Sequence, residues 1–266
     1  MNRKSILLGS LVVVSLVSGV LFLSNEGEAN APSPIPADIQ PIVDKMIDSV
    51  DNYKFVTAVV QVDSENGADS TTSFSAKLEP RVKVKSEYID KRGQSIQQFQ
   101  NNGKTLTVDL KQKTFSAIPI SRGMEQGWKD RPRHRFTYLE DGKFRAQPRM
   151  SPFHVGLGAE SMLFPQDFAL GVMHRSADLQ ISSHEAMLGR DATVIEGTPN
   201  EVHLDSYGDH FKIWVDTETG ILLKSEFSND GQVFETQTMT KLELDNPVSD
   251  AKFDFPSVKE YKNATP

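Results

Sequence analysis

Six histidines (His134, His154, His174, His184, His203 and His210) are the side chains best suited to ligate a metal or move a proton near neutral pH. None is spaced as in H-E-x-x-H or another close zinc pattern, so no metal site is expected. The stretch from Asp216 to Gly220 (DTETG) opens like a calcium loop but has no carboxylate at the twelfth position, so a hairpin turn is expected there. No G-x-S-x-G elbow, phosphate-binding loop or dinucleotide fingerprint is present. The chain has no cysteine, which removes thiol nucleophiles, disulfides and a lipid-modified cysteine anchor. Carboxylate pairs such as Glu140-Asp141 sit in turn-like sequence, and the glycosylation-like Asn263-Ala-Thr265 lies near the end of the chain. These residues assemble no nucleophile with a base, and the expectation is a protein that is not an enzyme and carries no cofactor.

One charge cluster stands apart. Between residues 128 and 150, Lys129, Arg131, Arg133, Arg135, Lys143, Arg145 and Arg149 face only Asp130, Glu140 and Asp141, with Trp128, Phe136, Tyr138 and Phe144 interleaved. Two readings fit. The segment is an edge strand guarded by charge, or it is a patch for anionic lipid headgroups or an acidic partner. The net charge of −7 disfavours general nucleic-acid binding.

The elements that must position these residues follow from periodicity. Ile39, Ile42, Val43, Met46, Ile47 and Val50 recur at helical spacing, with Asp38, Gln40, Asp44, Lys45 and Asp48 on the other face. This predicts an amphipathic helix over 37–50, with Pro41 in its first turn. From Tyr53 the period becomes two. Val56, Ala58, Val60 and Val62 share one face; Val82, Val84 and Tyr88 alternate with charges; so do Leu106, Val108 and Leu110 with polar residues. Asn102-Gly103 and Asp230-Gly231 mark hairpin turns. Near the C-terminus, Phe211, Ile213 and Val215 alternate, and Phe234, Thr236, Thr238, Thr240, Leu242 and Leu244 are expected on one side of a long strand. The pattern breaks over 120–176, which is rich in Gly and Pro with apolar clusters near 162–164 and 168–173. A stretch of that kind is expected to act as a lid or binding segment.

Residues 6–23 are 18 uncharged, mostly apolar residues, preceded by Arg3 and Lys4. As a helix they would span about 27 Å, near the thickness of a bilayer core. The basic flank directs everything after Leu23 out of the cytoplasm. Either the segment is a membrane anchor, or it is a signal peptide cut after the Ala29-Asn-Ala31 exit. The Pro-rich stretch 32–36 is then a stiff spacer, followed by a body over 37–258 and a tail over 259–266.

The C-terminal third resembles the lipoprotein-carrier superfamily (the LolA/LolB-like fold), and within it the periplasmic sigma-factor regulators of the RseB/MucB type. The residues that carry the likeness are GRDATVIEG from Gly189 to Gly197 and HFKIWVDTETGILLKS from His210 to Ser225, with the Asp230-Gly231 turn and the exit from Phe253 to Pro256. The resemblance implies an α+β fold in which a half-open, curved antiparallel β-barrel is closed by helices over an apolar cavity for acyl chains. Regulators of that type carry a second C-terminal domain, and this sequence ends soon after Pro256. The implied function is non-enzymatic, extracytoplasmic binding of lipid, lipoprotein or another amphiphile. The alternative is a membrane-tethered regulator that binds a protein partner such as a membrane-bound anti-sigma factor. Phe153, Leu157, Met162, Leu163, Phe164, Phe168, Leu170 and Met173, the apolar residues of the interrupted middle, are expected near the mouth of the cavity. Lys129, Arg131, Arg133, Arg135, Lys143, Arg145 and Arg149 are the candidate partner or headgroup patch.

Overall fold

The computed structural model describes residues 35–138 and 144–265. The apolar segment 6–23 and Lys143 lie outside them. Among the described residues, no helix is long and apolar enough to cross a membrane.

Helix α1 (Gln40–Ile47) has Pro41 in its first turn, where the missing N–H is harmless. A 3₁₀ turn, Ser49–Asp51, continues it, so the expected 14-residue helix is two pieces. Ile39, Val43, Met46, Ile47 and Val50 are nevertheless all buried. Then come β1 (Phe55–Ser64), β2 (Ser70–Lys77), β3 (Lys83–Asp90), β4 (Ser95–Asn101), β5 (Lys104–Asp109) and β6 (Thr114–Pro119). The irregular middle holds α2 (Arg122–Gly127), the small hairpin β7 (Phe136–Tyr138) and β8 (Phe144–Ala146), α3 (Glu160–Leu163) and a π-helical turn, Phe168–Val172. Strands resume with β9 (Ala177–Met187) and β10 (Arg190–Thr198), then α4 (Leu204–Tyr207), β11 (His210–Asp216), β12 (Leu222–Asn229) and β13 (Gln232–Leu244). A 3₁₀ turn, Asp250–Phe253, and β14 (Lys262–Asn263) complete the described chain.

Twelve strands form one sheet in the order β14-β6-β5-β4-β3-β2-β1-β13-β12-β11-β10-β9. All neighbours are antiparallel except β14 beside β6. The sheet is long and curved and does not close on itself: it ends at β14 and β9. The fold is therefore mostly sheet, α+β, with few helices, and not a closed barrel. The turns behave as their residues require. Asn102-Gly103, Leu188-Gly189 and Asp230-Gly231 all have both central φ angles positive, which suits two-residue hairpins.

One face of the sheet carries most of the core. Val56, Ala58 and Val60 of β1 stand opposite Ala76, Phe74 and Thr72 of β2. Ile213 and Val215 of β11 continue the same buried cluster, as does α1. We call this the inner face. Two departures from simple alternation matter. Leu106 and Val108 of β5 pair across from Phe99 and Gln97, on the outer face, where Val258 and Tyr261 of the C-terminal segment cover them. In β13 a bulge breaks the expected line of side chains. Met239 opposes Val60 while Lys241 opposes Val59, so Leu242 and Leu244 share the inner face with Met239 rather than with Thr236 and Thr238.

Helix α1 is seated on the β11–β12 turn. Asp216, buried there, accepts hydrogen bonds from Arg190 Nε at 2.8 Å and Nη2 at 3.0 Å and from the Thr219 amide at 2.9 Å. Asn52 Nδ2 donates to the Thr219 carbonyl at 3.0 Å. At Gly220 (φ +79°), an added Cβ would lie 2.4 Å from the Lys45 carbonyl carbon and 2.6 Å from the Met46 nitrogen. Gly220→Ala should therefore destabilise the fold by about 3–5 kcal/mol in urea titrations, by clash with the α1 backbone as well as φ strain. Gly231→Ala, at φ +76° with open space around it, should cost only the strain, about 1–2 kcal/mol.

Candidate functional site

The inner face is covered by α1 and by described residues of the irregular middle, among them Trp128, Ala146, Phe153, Val155 and the stretch 159–173. An irregular segment cannot satisfy its own backbone, so its position depends on side chains that reach it. Three sets do so. At the near end, Arg149 is buried. Its Nη1 donates to Asp48 at 2.9 Å and also to Asp51, its Nη2 reaches Asp51 Oδ1 at 3.1 Å, and Nε and Nη2 both donate to the Trp128 carbonyl. Arg135 adds a bond of 2.7 Å to Asp48, and Arg131 one of 2.6 Å to Asp51. Burial works against the Arg149 charge, but Asp51 and Asp48 hold its guanidinium above the ordinary arginine range. Gln166 pairs with both backbone groups of Arg149, at 2.9 and 2.8 Å.

In the middle, two glutamines of β4 hold the chain. Gln100 donates to the Pro152 carbonyl at 3.0 Å and accepts from the His154 amide at 2.8 Å. Gln98 Oε1 accepts from the Gly156 and Leu157 amides at 3.1 and 3.4 Å. Thr72 donates to the Leu157 carbonyl at 2.8 Å. At the far end, Ser49 and Tyr53 both donate to the Leu163 carbonyl, at 2.9 and 3.2 Å.

Seven of the eight expected mouth residues are buried in the inner-face cluster, and Leu157 is half-buried. Phe153 packs edge-on against Phe74, with ring centroids 5.2 Å apart. Phe168 sits among Phe211, Tyr207 and Phe227, at 5.2, 5.6 and 6.1 Å. Met162, Leu163, Phe164, Leu170 and Met173 belong to the same buried cluster as α1 and the inner face of the sheet. Two open surface hollows, of about 510 and 430 Å³, lie elsewhere. Lys54, Phe55, Glu79, Pro80 and Lys129 line the first, and residues of the β9–β10 hairpin with Thr217 line the second.

Of the seven basic residues, Lys143 lies outside the described residues and the other six divide. Arg131, Arg135 and Arg149 converge on Asp48 and Asp51. Lys129, Arg133 and Arg145 are exposed, with Lys129 over the Trp128 ring at 5.5 Å. Sequence reasoning did not single out Asp48, Asp51, Gln98, Gln100 or Gln166. Asp48 reads as the wet side of an amphipathic helix, and Gln98 and Gln100 alternate as strand residues do. The roles of Asp48, Asp51, Gln98 and Gln100 depend on chain 52 to 101 residues away, and that of Gln166 on Arg149, 17 residues before it.

Two buried titratable groups border this region. Burial pushes the Glu160 carboxyl up from an ordinary 4.5 to about 7; the hydrogen bond from Ser151 opposes this and the Asp167 charge adds to it. Burial, with the nearby Arg175 charge, lowers His174 to about 4, where its ring stacks on Phe136 at 3.8 Å. Among the described residues, no three His, Asp or Glu side chains converge as metal ligands.

Residues 158–256 match the model of the MucB/RseB N-terminal domain, just over a third of the chain, including α3 and the Asp216 turn. This is the family whose likeness the Gly-Arg and Asp-x-x-Thr-Gly stretches carry. No curated protein matches the chain. Among solved structures, the Pseudomonas aeruginosa MucA/MucB complex is similar at 18% identity and TM-score 0.47, over 84% of this chain and 62% of that one. A MucB crystal structure matches at 16% and 0.48, over 85% and 66%. The Mycobacterium tuberculosis lipoprotein LppX matches at 14% and 0.42, over 81% and 99%. The chain thus spans less than two thirds of the length of the first of these.

Two outcomes test the site's energetics. Arg149→Ala should cost about 1–3 kcal/mol in denaturant titrations, because it leaves the buried Trp128 carbonyl without its donors, while Arg135 and Arg131 still neutralise Asp48 and Asp51. Arg133→Ala, on the surface, should stay within about 0.5 kcal/mol. Glu160 binds its proton more tightly folded than unfolded, so its stabilising contribution is complete below pH 4.5 and is lost as pH rises through about 7. Glu160→Gln should therefore match the wild type at pH 4.5 and be more stable at pH 8 by about 1–2 kcal/mol, a value reduced for the solvent its side chain retains.

Proposed function

We propose that this protein is a non-enzymatic binder of a lipid, lipoprotein acyl chain or other amphiphile, taken up on the inner face of a half-open sheet and held under the segment 120–176. The observation that carries this reading is the character of the cover. An apolar face spanning β1, β2 and β11 is roofed by irregular chain, whose own apolar side chains meet it while its backbone is tied down by polar side chains. An apolar ligand needs such a face, with few polar anchors. Phe153, Leu157, Met162, Leu163, Phe164, Phe168, Leu170 and Met173 are the residues that would exchange protein contacts for ligand contacts. The MucB/RseB match supports the reading through the acyl-chain binding that this resemblance implies. The apolar segment 6–23 supports an extracytoplasmic location, with the body either anchored or released after Ala31.

A second reading is favoured by the exposed Lys129, Arg133 and Arg145: a regulator that docks a protein partner such as a membrane-bound anti-sigma factor. Arg131, Arg135 and Arg149 serve Asp48 and Asp51, so they are poor probes of such a surface. The two readings combine if the ligand binds one partner-competent state better than the other.

Detergent-free protein examined by native mass spectrometry should carry a lipid-sized adduct, or take up a dansyl-labelled fatty acid with a rise in fluorescence. An empty protein that also ignores the probe would sink the first reading. Charge reversal of Lys129, Arg133 and Arg145 together should abolish co-purification of a membrane partner without lowering thermal stability. Retention of the partner would remove the second reading.

A further inference from the structure

Residues 151–158 differ from the rest of the cover in how they are held. Five hydrogen bonds tie them to the sheet: the side chains of Thr72 and Gln100 donate to strap carbonyls, and Gln98 and Gln100 accept from three strap amides. These bonds reproduce what a neighbouring strand would offer, yet the strap is not a strand. Its ends are fixed independently of it. Arg149, two residues before, is locked to Asp48 and Asp51. Leu163, five residues after, is held through its carbonyl by Ser49 and Tyr53. Between these clamps, the strap covers Phe74 with Phe153, and the chain turns through Gly158 at φ +76°. Beneath it, Ser86 of β3 is buried, 1% exposed, with no partner for its hydroxyl among the described residues. Water or a ligand polar group could satisfy that hydroxyl, Gln98 and Gln100 once the strap is lifted, so the polar bonds lost on opening can be replaced.

We propose that residues 151–158 form a displaceable strap, that Gln98 and Gln100 hold it closed, and that lifting it between the Arg149 and Leu163 clamps admits an amphiphile to the face around Phe74. The assignment of the gate rests on the amphiphile-binding reading. The existence of a strap that opens on its own does not. On opening, the two glutamines become the polar anchors for the ligand's carbonyl or amide group, beside an apolar floor for its chain.

The full chain contains no cysteine, so an engineered pair is a clean lock. A Cβ at Gly158 would lie 3.8 Å from the Thr72 Cβ, within disulfide range. Two measurements decide the matter. First, in the unmodified protein, the amides of His154, Gly156 and Leu157 should exchange with solvent about 100-fold faster than that of Met46 in α1, through local opening. Equal protection would overturn the strap, whatever the protein binds. Second, the Thr72→Cys, Gly158→Cys double variant should, when oxidised, take up the dansyl-labelled fatty acid at least ~10-fold more slowly than when reduced, and dithiothreitol should restore the rate. Gln98→Ala with Gln100→Ala should speed uptake. Uptake unaffected by the lock would overturn the gate while leaving the binding reading intact. If neither form takes up the probe, the binding reading and the gate built on it fail together, and the exchange data still decide the strap.

Discussion

The charge of Arg149 is the constraint around which the cover is arranged. A guanidinium with its side chain 1% exposed cannot remain unmatched in an apolar interior. Its carboxylates come from the end of α1 and the 3₁₀ turn behind it, about a hundred residues earlier. Such a pair is weak evidence of net stability, because desolvation offsets much of the attraction. Its contribution is positional. Bonding to Asp48, Asp51 and the Trp128 carbonyl together fixes where Arg149 sits, and with it where the rest of the cover begins. Helix α1 is in turn held by Gly220 and the Arg190–Asp216 turn, so a hairpin far along the chain indirectly determines where the roof lies.

The strands, the two Gly-containing turns and α1 were legible because each is a local pattern: alternation, φ-positive turn residues, and apolar spacing near 3.6. What could not be read were decisions taken between distant segments. Alternation in β5 shows that Leu106 and Val108 share a face but not which one, and the C-terminal segment turns the outer side into a second small core. The bulge in β13 reverses the faces of Thr236 and Leu242 with no local signal in the sequence. The basic run 128–150 was visible as charge. That three of its arginines are absorbed by Asp48 and Asp51 was not, because those aspartates look like the solvent side of a helix. The apolar residues of 153–173 were visible as clusters, and the structure places seven of them at the same interface.

The Gly-Arg and Asp-x-x-Thr-Gly stretches that carry the family likeness prove to be parts of one joint. Arg190 neutralises the buried Asp216, Asp216 closes the turn onto Thr219, and Gly220 lets α1 approach to backbone contact. The strap is held by other side chains, those of Thr72, Gln98 and Gln100. The likeness therefore speaks to how the roof is mounted on the sheet. What the roof covers is set by other residues, chiefly Phe74, Phe153 and the amides of β4, which lie outside or at the edge of the matched 158–256 segment.

Magnitudes show why a cover of this composition suits exchange rather than permanent closure. Exposing Phe153 and Val155 costs roughly 3–6 kcal/mol, and loss of five hydrogen bonds at about 1 kcal/mol each adds a similar amount. An acyl chain that buries about twelve methylenes gains on the order of 10 kcal/mol. The two sides are of similar size. A cover fixed only by apolar side chains would lose on opening the same kind of contact that the ligand supplies, with no polar group left to orient the newcomer. One fixed by buried ion pairs throughout would strand charges whenever it moved. Here the ion pairs lie at one end, at Arg149, and the hydroxyls of Ser49 and Tyr53 hold the other, so no charge need move. Neutral amides span the middle, where water or a ligand carbonyl can take over each bond. Under the proposed reading, that division of labour permits a local opening without unfolding the sheet, with the polar end of an amphiphile at β4 and its chain toward Phe74.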